Sequence, residues 1–246
     1  MDKMLYLGMT GAKHLQLAQA TNANNLANAS TAGFRADFHS LFTQEVEGPG
    51  LATRANAVLG GESVDVSAGA VQTTDNPLDI AINGDGWFAV STEDGGEAYT
   101  RRGDLRISAD GLLTNGAGQQ ILGDGGLLAL PEHQSLSIGS DGTVSIVPLG
   151  QGPDTQIVID RIRMVNLDEN QISKGQDGLI RQRDGSAGTA SAEISLISGA
   201  LESSNVNAVD AMVNMISLSR AFEMEVKMMS TAGELADAGS RLMRLE

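Results

Sequence analysis

The sequence predicts an α+β protein in which helices at the two ends of the chain flank a mainly antiparallel β domain. Residues 4–29 and 203–246 repeat apolar side chains at helical spacing. Seven Asp-Gly pairs all lie between residues 85 and 185. Apolar residues three or four positions apart share one helix face, whereas Asp-Gly is typical of tight hairpin turns.

The N-terminal helix is predicted from a narrow stripe whose members follow each other at steps of three or four residues. The stripe runs through Met4, Leu7, Gly11, Leu15, Ala18, Asn22, either Asn25 or Leu26, and Ala29. Several of these side chains are small, so a partner helix can approach closely. We therefore expect this helix to pack against others along one face.

Residues 20–34, ATNANNLANASTAGF, place four asparagines in or just after this helix. Asparagine is a poor helix former, because its amide competes for backbone hydrogen bonds. We expect Asn22, Asn25 and Asn28 to hydrogen-bond to neighbouring helices, which fixes their register, or to backbone at the helix end. The alternative is that they only cap a fraying helix end. Gly33 is expected to take a positive φ at the helix exit, and Phe34 to anchor the turn.

The C-terminal helix is predicted from residues 203–246, which contain no proline. One stripe comprises Met215, Leu218, Phe222, Val226 and Met229, and an adjoining stripe comprises Val209, Met212, Val213 and Ile216. The candidate N-cap residues are Ser203, Ser204, Asn205 and Asn207. The combined apolar face is too wide for one helix in water, so we expect it to pack on helices of the same chain or of other subunits.

Between the ends, alternating apolar and polar residues predict β-strands, as in LDIAIN before Asp85 and SLSIGSDGTVSIV around Asp141. A disordered glycine-rich linker fits poorly, because Ile and Val alternate too regularly. Residues 37–74 are small, polar and glycine-rich. The predicted domains are a helical terminal domain (1–36 and 201–246), an extended connecting segment (37–74) and a β-rich domain (75–200).

The composition narrows the classes of function. The chain has 16 basic and 31 acidic residues and a net charge of −15, which disfavours nucleic acid as a partner. It has no cysteine, and therefore no disulfide or cysteine metal site. No apolar run approaches the roughly 18 residues of a membrane helix. The N-terminus does not resemble a cleaved secretory signal.

The sequence predicts no catalytic, cofactor or metal site, and hence no enzyme. His14, His39 and His133 lie in separate segments, and neither His-Glu-x-x-His nor Gly-x-Ser-x-Gly occurs. The glycine-rich stretches NGDGWF and GAGQQILGDGG lack the Lys-Ser/Thr ending of a phosphate-binding loop. The dispersed Asp-Gly pairs do not match a calcium loop, which gathers about six to eight oxygens in one shell.

Four stretches resemble the motifs of flagellar rod and hook proteins, in the order in which that family carries them. They are NNLANASTAGFRAD (24–37), TDNPLDIAINGDGWFAV (74–90), YTRRGDLRISADGLLTNGAGQQIL (99–122) and LESSNVNAVDAMVNMISLSRAFEME (201–225). The likeness spans nearly the whole chain. In length and N-terminal sequence, the chain most resembles the proteins of the proximal rod. A distal rod protein is the second candidate.

The resemblance implies a structural subunit of the flagellar basal body. Terminal helices of many subunits would form a coiled-coil-like inner tube, the D0 domain, and the β domains an outer layer. This tube would transmit torque and enclose the export channel. The subunit would leave the cell by type III export without a cleaved signal and assemble in the periplasm. Its partners would be copies of itself, the rod proteins FlgB, FlgC, FlgG and FliE, and the surrounding rings.

Two alternatives from other classes stay open at this point: a β-rich surface adhesin and an enzyme acting on peptidoglycan. For the rod interpretation, the candidate assembly residues are chosen from both helices and the motif that follows the first. They are Leu7, Leu15, Asn22, Asn25, Leu26, Asn28, Gly33, Phe34, Val209, Met212, Ile216, Phe222, Val226 and Met229.

Overall fold

The computed structural model describes residues 2–45, 55–92, 94–152 and 155–243. It confirms the α+β class, with an α-helix at each end of the chain and antiparallel strands between them. The first helix, α1, spans Asp2–Ala27, and the second, α2, spans Ala208–Met243. At about 1.5 Å per residue, α2 is roughly 54 Å long.

Eighteen strands lie within the described ranges. They are β1 (Asp37–Glu45), β2 (Ala55–Val64), β3 (Val71–Thr73), β4 (Ile80–Asn83), β5 (Trp87–Ser91), β6 (Glu97–Thr100), β7 (Leu105–Ile107), β8 (Leu113–Asn115), β9 (Gln120–Gly123), β10 (Gly126–Leu127), β11 (His133–Ile138), β12 (Thr143–Pro148), β13 (Ile157–Arg161), β14 (Met164–Val165), β15 (Ile172–Lys174), β16 (Ile180–Gln182), β17 (Ser195–Ser198) and β18 (Ala200–Glu202).

The chain divides into two compact units. Unit 1 comprises Met1–Asn28, Asp37–Asp65 and Val206–Glu246, and unit 2 comprises Ala29–Ala36 and Val66–Asn205. Within the predicted connecting segment, β1 and β2 form an antiparallel hairpin that groups with the helices. The exact domain boundaries stay a prediction.

In unit 1, α1 and α2 run antiparallel. Gly8 lies beside Met229, Gly11 beside Glu225, and Asn22 beside Ala211, so the residue number rises in one helix as it falls in the other. The side chain of Asn207 caps the start of α2 by accepting hydrogen bonds from the backbone N–H groups of Val209 and Asp210, at 3.0 and 3.4 Å. Of the four candidate N-cap residues, Asn207 therefore fills the role.

Unit 2 is built from antiparallel sheets. The largest has the order β15-β16-β6-β5-β9-β8-β7, with β10 added on β9 and β14 on β5. A second sheet has the order β11-β12-β13, and two pairs, β17-β4 and β18-β3, complete the set in the described part. Its hydrophobic core is formed by Ile80, Ile82, Phe88, Val90, Ala98, Leu105, Leu113, Ile121, Leu128, Leu130, Ile138, Val144, Ile146, Ile162, Met164, Leu179, Ile194 and Leu196.

The Asp-Gly pairs lie at turns between these strands, as the sequence predicts. Their glycines have positive φ at six of the seven positions. The exception is the pair at 124–125, where the following residue, Gly126, has a φ of 121°. Glycine tolerates such angles because it has no Cβ.

Candidate assembly site

The contact between α1 and α2 is close because small residues line it. A Cβ placed on Gly8 would lie 2.9 Å from Cγ of Met229, and one placed on Gly11 would lie 3.1 Å from Oε1 of Glu225. Ala211 and Ala232 of α2 are buried. The helices therefore fit together through glycine and alanine positions, and larger residues there would force them apart.

The three predicted asparagines make different hydrogen bonds, all within unit 1. Asn22 donates from Nδ2 to the carbonyl oxygen of Ala211 in α2, at 2.7 Å. Asn25 donates to the carbonyl oxygen of Asp37 at 2.8 Å and accepts from the N–H of Asp37 at 2.9 Å. Asn28 donates to the carbonyl oxygen of Asn24, in the last turn of α1. Asn22 thus joins two helices, Asn25 fixes the start of β1, and Asn28 caps the helix end.

An apolar surface on the N-terminal half of α2 is open to solvent. The exposed fractions are 67% for Val209, 54% for Met212, 57% for Val213 and 55% for Ile216. These four residues, called here the α2 stripe, follow i, i+3, i+4, i+7 spacing and share one face. Contiguous exposed apolar surface on a helix is typical of a protein–protein interaction site.

The α2 stripe adjoins the other predicted stripe of α2, because Met212 and Met215 are three residues apart and therefore neighbours on the helix surface. At about 100° per residue, Val209 and the buried Ala211 differ by roughly 200°, so they lie on opposite sides of the helix. Met215, Leu218, Phe222 and Met229 are half-buried on the side of Ala211. The apolar face of α2 is therefore divided: the part around Ala211 packs on α1, whereas the α2 stripe lies away from α1 and is open to solvent.

The other predicted assembly residues of the helices fall into two groups. Half-buried side chains occur at Leu7, Leu15, Leu26, Phe222 and Met229. Val226 is exposed at 45%. Their assignment to an interface between subunits stays a prediction.

In unit 2, four backbone or side-chain contacts join residues 33–36 to residues 202–205, and we call this arrangement the end clamp. Gly33 N–H donates to the carbonyl oxygen of Glu202 at 2.8 Å, and Asn205 N–H donates to that of Phe34 at 3.3 Å. Ala36 N–H donates to Oδ1 of Asn205 at 2.8 Å. Arg35 and Glu202 form an ion pair with 2.6 Å between Nη2 and Oε1.

A second arginine completes a buried charge cluster around Glu202. Arg101 Nη1 lies 3.2 Å from Glu202 Oε2, and Arg35 and Glu202 are each only 2% exposed. Both guanidinium groups lie over the ring of Trp87, with Cζ atoms 5.8 and 5.4 Å from the ring centroid. Burial lowers the pKa of Arg101, although the nearby Glu202 carboxylate opposes that shift. One carboxylate therefore balances two buried cations.

Gly33 and Phe34 have local roles in unit 2. Gly33 has a φ of 66°, in the left-handed region, as expected. It lies in the turn region that follows α1 and not at the helix end itself, which is Ala27. The N–H of Phe34 donates to the carbonyl oxygen of Thr31, and Lys174 Nζ lies 3.9 Å from the centroid of the Phe34 ring.

Replacing Gly33 with alanine is expected to destabilise unit 2 by more than the roughly 1–2 kcal/mol that a left-handed φ costs an L-residue. The reason is that the added methyl group would also overlap the backbone of Arg101. Urea unfolding followed by the fluorescence of Trp87 measures the loss. Gly118→Ala is the matched control, since Gly118 has a φ of 86° but open space around it. Equal losses in the two variants would exclude the steric part of this explanation.

Residue-by-residue reasoning from the sequence missed Arg35, Trp87, Arg101 and Glu202 as members of one cluster. All four lie inside the motif stretches that carry the family resemblance. Their place in these motif stretches was the available signal. It indicated importance without indicating which charges meet.

Two further findings concern function classes. Among the described residues, no group of three or more histidine, aspartate or glutamate side chains lies together in a way that suits a metal ion. In the same part of the chain, neither helix combines the length and the apolar character needed to cross a membrane.

Comparison with known proteins gives matches along the whole chain. The family described as Flagella basal body rod protein matches residues 5–35, the Flagellar hook protein FlgE/F/G D1 domain matches 81–146, and the Flagellar basal body rod FlgEFG protein C-terminal family matches 197–242. The first range contains α1 from Leu5 onward, the second contains strands β5 to β11, and the third contains α2 up to Leu242.

Individual relatives agree with the family matches. The chain is 36% identical to the flagellar basal-body rod protein FlgF of Salmonella typhimurium and 37% identical to FlgF of Escherichia coli, in each case over 100% of both chains. It is 35% identical to the rod protein FlgG of Bacillus subtilis over 96% of this chain and 97% of that protein. The full-length matches favour a FlgF-like over a FlgG-like protein. The chain belongs to the flagellar basal-body rod protein family.

Proposed function

We propose that the chain is a structural subunit of the proximal rod that assembles through its terminal helices into the tubular, torque-transmitting shaft around the export channel. The observation that carries this proposal is the α2 stripe. Its four apolar side chains are more than half exposed, although the opposite side of α2 packs on α1. A stable isolated protein gains nothing from this exposure, whereas a subunit in a helical tube buries it.

The finer parts of the proposal follow from the family. The subunit is exported without a cleaved signal and assembles in the periplasm, where its helices pack in a coiled-coil-like manner. Its neighbours are copies of itself, FlgB, FlgC, FlgG, FliE and the surrounding rings. It acts as a scaffold and not as an enzyme. A position in the distal rod, as for FlgG, is the second candidate, favoured by the 35% identity to a FlgG protein.

A β-rich adhesin is less consistent with the structure. Such a protein would bury the apolar surfaces of its end helices inside one chain. Here α1 covers only one side of α2, and the α2 stripe stays exposed in the described part of the chain.

Cross-linking in assembled flagella tests the proposed neighbours. The chain has no cysteine, so Val213→Cys introduces a single thiol in the centre of the α2 stripe. We expect that thiol to cross-link to rod proteins in intact basal bodies, and the identity of the partner distinguishes the proximal from the distal position. Glu132→Cys places the thiol on an exposed residue of unit 2 as a control. Cross-links from Glu132 but none from Val213 would contradict the proposal.

Replacing Asn25 with leucine is expected to impair rod assembly while unit 2 stays folded. The change removes both hydrogen bonds between the Asn25 side chain and the backbone of Asp37, and with them the link between α1 and the start of β1; a hydrogen bond typically contributes about 0.5–1.5 kcal/mol. Motility and rod formation report assembly, and Trp87 fluorescence reports the fold of unit 2. The neighbouring Asn24→Leu, at an exposed position, is the control. Normal rods from the Asn25 variant would show that this asparagine is dispensable.

A further inference from the structure

The end clamp closes most of the chain into a loop. Arg35 and Glu202, which form its ion pair, are 167 residues apart in sequence. Residues 33–36 follow α1 in the chain, and residues 202–205 precede α2. Any pull on the two ends of the protein therefore reaches both halves of the clamp before it reaches the chain between them.

The clamp is also anchored inside unit 2. Gly69 N–H donates to Oε1 of Glu202 at 2.8 Å, and Asn205 Nδ2 donates to the carbonyl oxygen of Ser67 at 3.2 Å. Arg101 adds its contact with Glu202 and donates to the carbonyl oxygen of Gly84 at 2.9 Å. Glu202 and Asn205 therefore each join several separate segments of the chain.

Several of these contacts lie in the interior of unit 2, where water does not reach them. A hydrogen bond to a charged group in a dry site is stronger than a neutral bond at the surface, because water does not compete for the partners. Arg35 and Glu202 meet this condition, since both are almost fully buried. Their pair and the three hydrogen bonds beside it join the same two short segments, so rupture requires them to fail together.

We propose that the end clamp carries tension between the two ends of the chain and shields the residues between its halves from that tension. Force applied outside a closed loop passes through the contacts that close it, and the loop itself bears none until they break. The inference concerns the single molecule; its use in a torque-bearing shaft rests on the proposed function. In that setting, the clamp would keep mechanical load from unfolding the sheets of unit 2.

Single-molecule stretching of the full chain tests this proposal, with handles attached through cysteines added at both ends. We expect α1 and α2 to extend first, and then one rupture that releases the loop in a single step of roughly 55–60 nm, at about 3.3–3.6 Å per residue. Asn205→Ala removes contacts to Ala36 and Ser67, and Glu202→Ala removes the ion pairs. Each is expected to lower the rupture force, by about half for Glu202→Ala because the charged contacts are the stronger ones.

Ile146→Ala is the matched control. Ile146 lies in the core of unit 2, between the two halves of the clamp, and is 1% exposed. The variant lowers thermal stability but is expected to leave the rupture force unchanged, because the clamp shields the core. A rupture force lowered as much by Ile146→Ala as by Asn205→Ala would overturn the proposal. Release of the wild-type loop in several small steps would overturn it as well. None of these readouts requires a rod, so failure here is distinct from failure of the proposed function.

Discussion

Replacing Glu202 with alanine is expected to destabilise unit 2 by about 3–5 kcal/mol, because removing one partner of a buried ion pair leaves an uncompensated buried charge. The loss should be at the upper end, since the carboxylate serves two cations, Arg35 and Arg101. Nε and Nη1 of Arg35 and Nε of Arg101 already have no hydrogen-bond partner in the described structure. The cluster therefore has no spare acceptor that would replace Glu202.

Urea unfolding followed by fluorescence measures this loss directly, because both guanidinium groups lie over the ring of the single tryptophan, Trp87. Glu202→Gln keeps the shape and two polar atoms, so it should lose less than Glu202→Ala and stay folded if the alanine variant does not. Glu132→Ala, at an exposed site, is the control for a simple loss of one negative charge. Equal stability of the Glu202 and Glu132 variants would show that the cluster contributes nothing.

Replacing Val209, Met212 and Ile216 together with serine is expected to abolish assembly while both units stay folded. Each side chain contributes about 1.5–3 kcal/mol when it moves from water into an interface. If each of the three side chains contributes the low end of this range, the triple variant loses roughly 4–5 kcal/mol of association free energy. The association constant then falls by about a thousandfold. The monomer should be unaffected, because all three side chains are more than half exposed.

Rod formation in cells measures the effect on assembly, and circular dichroism with Trp87 fluorescence measures the fold. A control with the same kind of change uses Ile157→Ser and Val158→Ser on β13, where the side chains are 44% and 63% exposed in unit 2. This control removes exposed apolar surface from unit 2 and leaves both helices unchanged. If the control blocks rods and the α2 variant forms them, then the outer strands and not α2 hold the subunits together.

The sequence analysis predicted the features that depend on local patterns. The end helices follow from apolar spacing, and the hairpin turns follow from Asp-Gly, because both signals act within a few residues. Asn207 as N-cap and the positive φ of Gly33 are local in the same sense. Which part of the apolar face of α2 packs on α1 could not be predicted, because apolar spacing shows which residues share a face and not which neighbour covers it.

The end clamp could not be predicted from such local patterns. It brings together Arg35, Arg101 and Glu202. Arg35 and Glu202 are 167 residues apart, and a contact between such distant residues produces no repeating pattern in the sequence. The hairpin of β1 and β2 was missed for a related reason. Its strands contain glycines and polar residues, and apolar and polar residues do not alternate clearly in them. Its place beside α1 is fixed by hydrogen bonds from the side chain of Asn25, which the sequence pattern of a strand does not indicate.

A density map of the intact basal body, with this chain traced in it, tests the central claim most directly. The account predicts that α1 and α2 lie in the inner wall of the rod and that Val209, Met212, Val213 and Ile216 are buried against neighbouring subunits. A rod in which those four side chains face solvent, or from which this chain is missing, would contradict it.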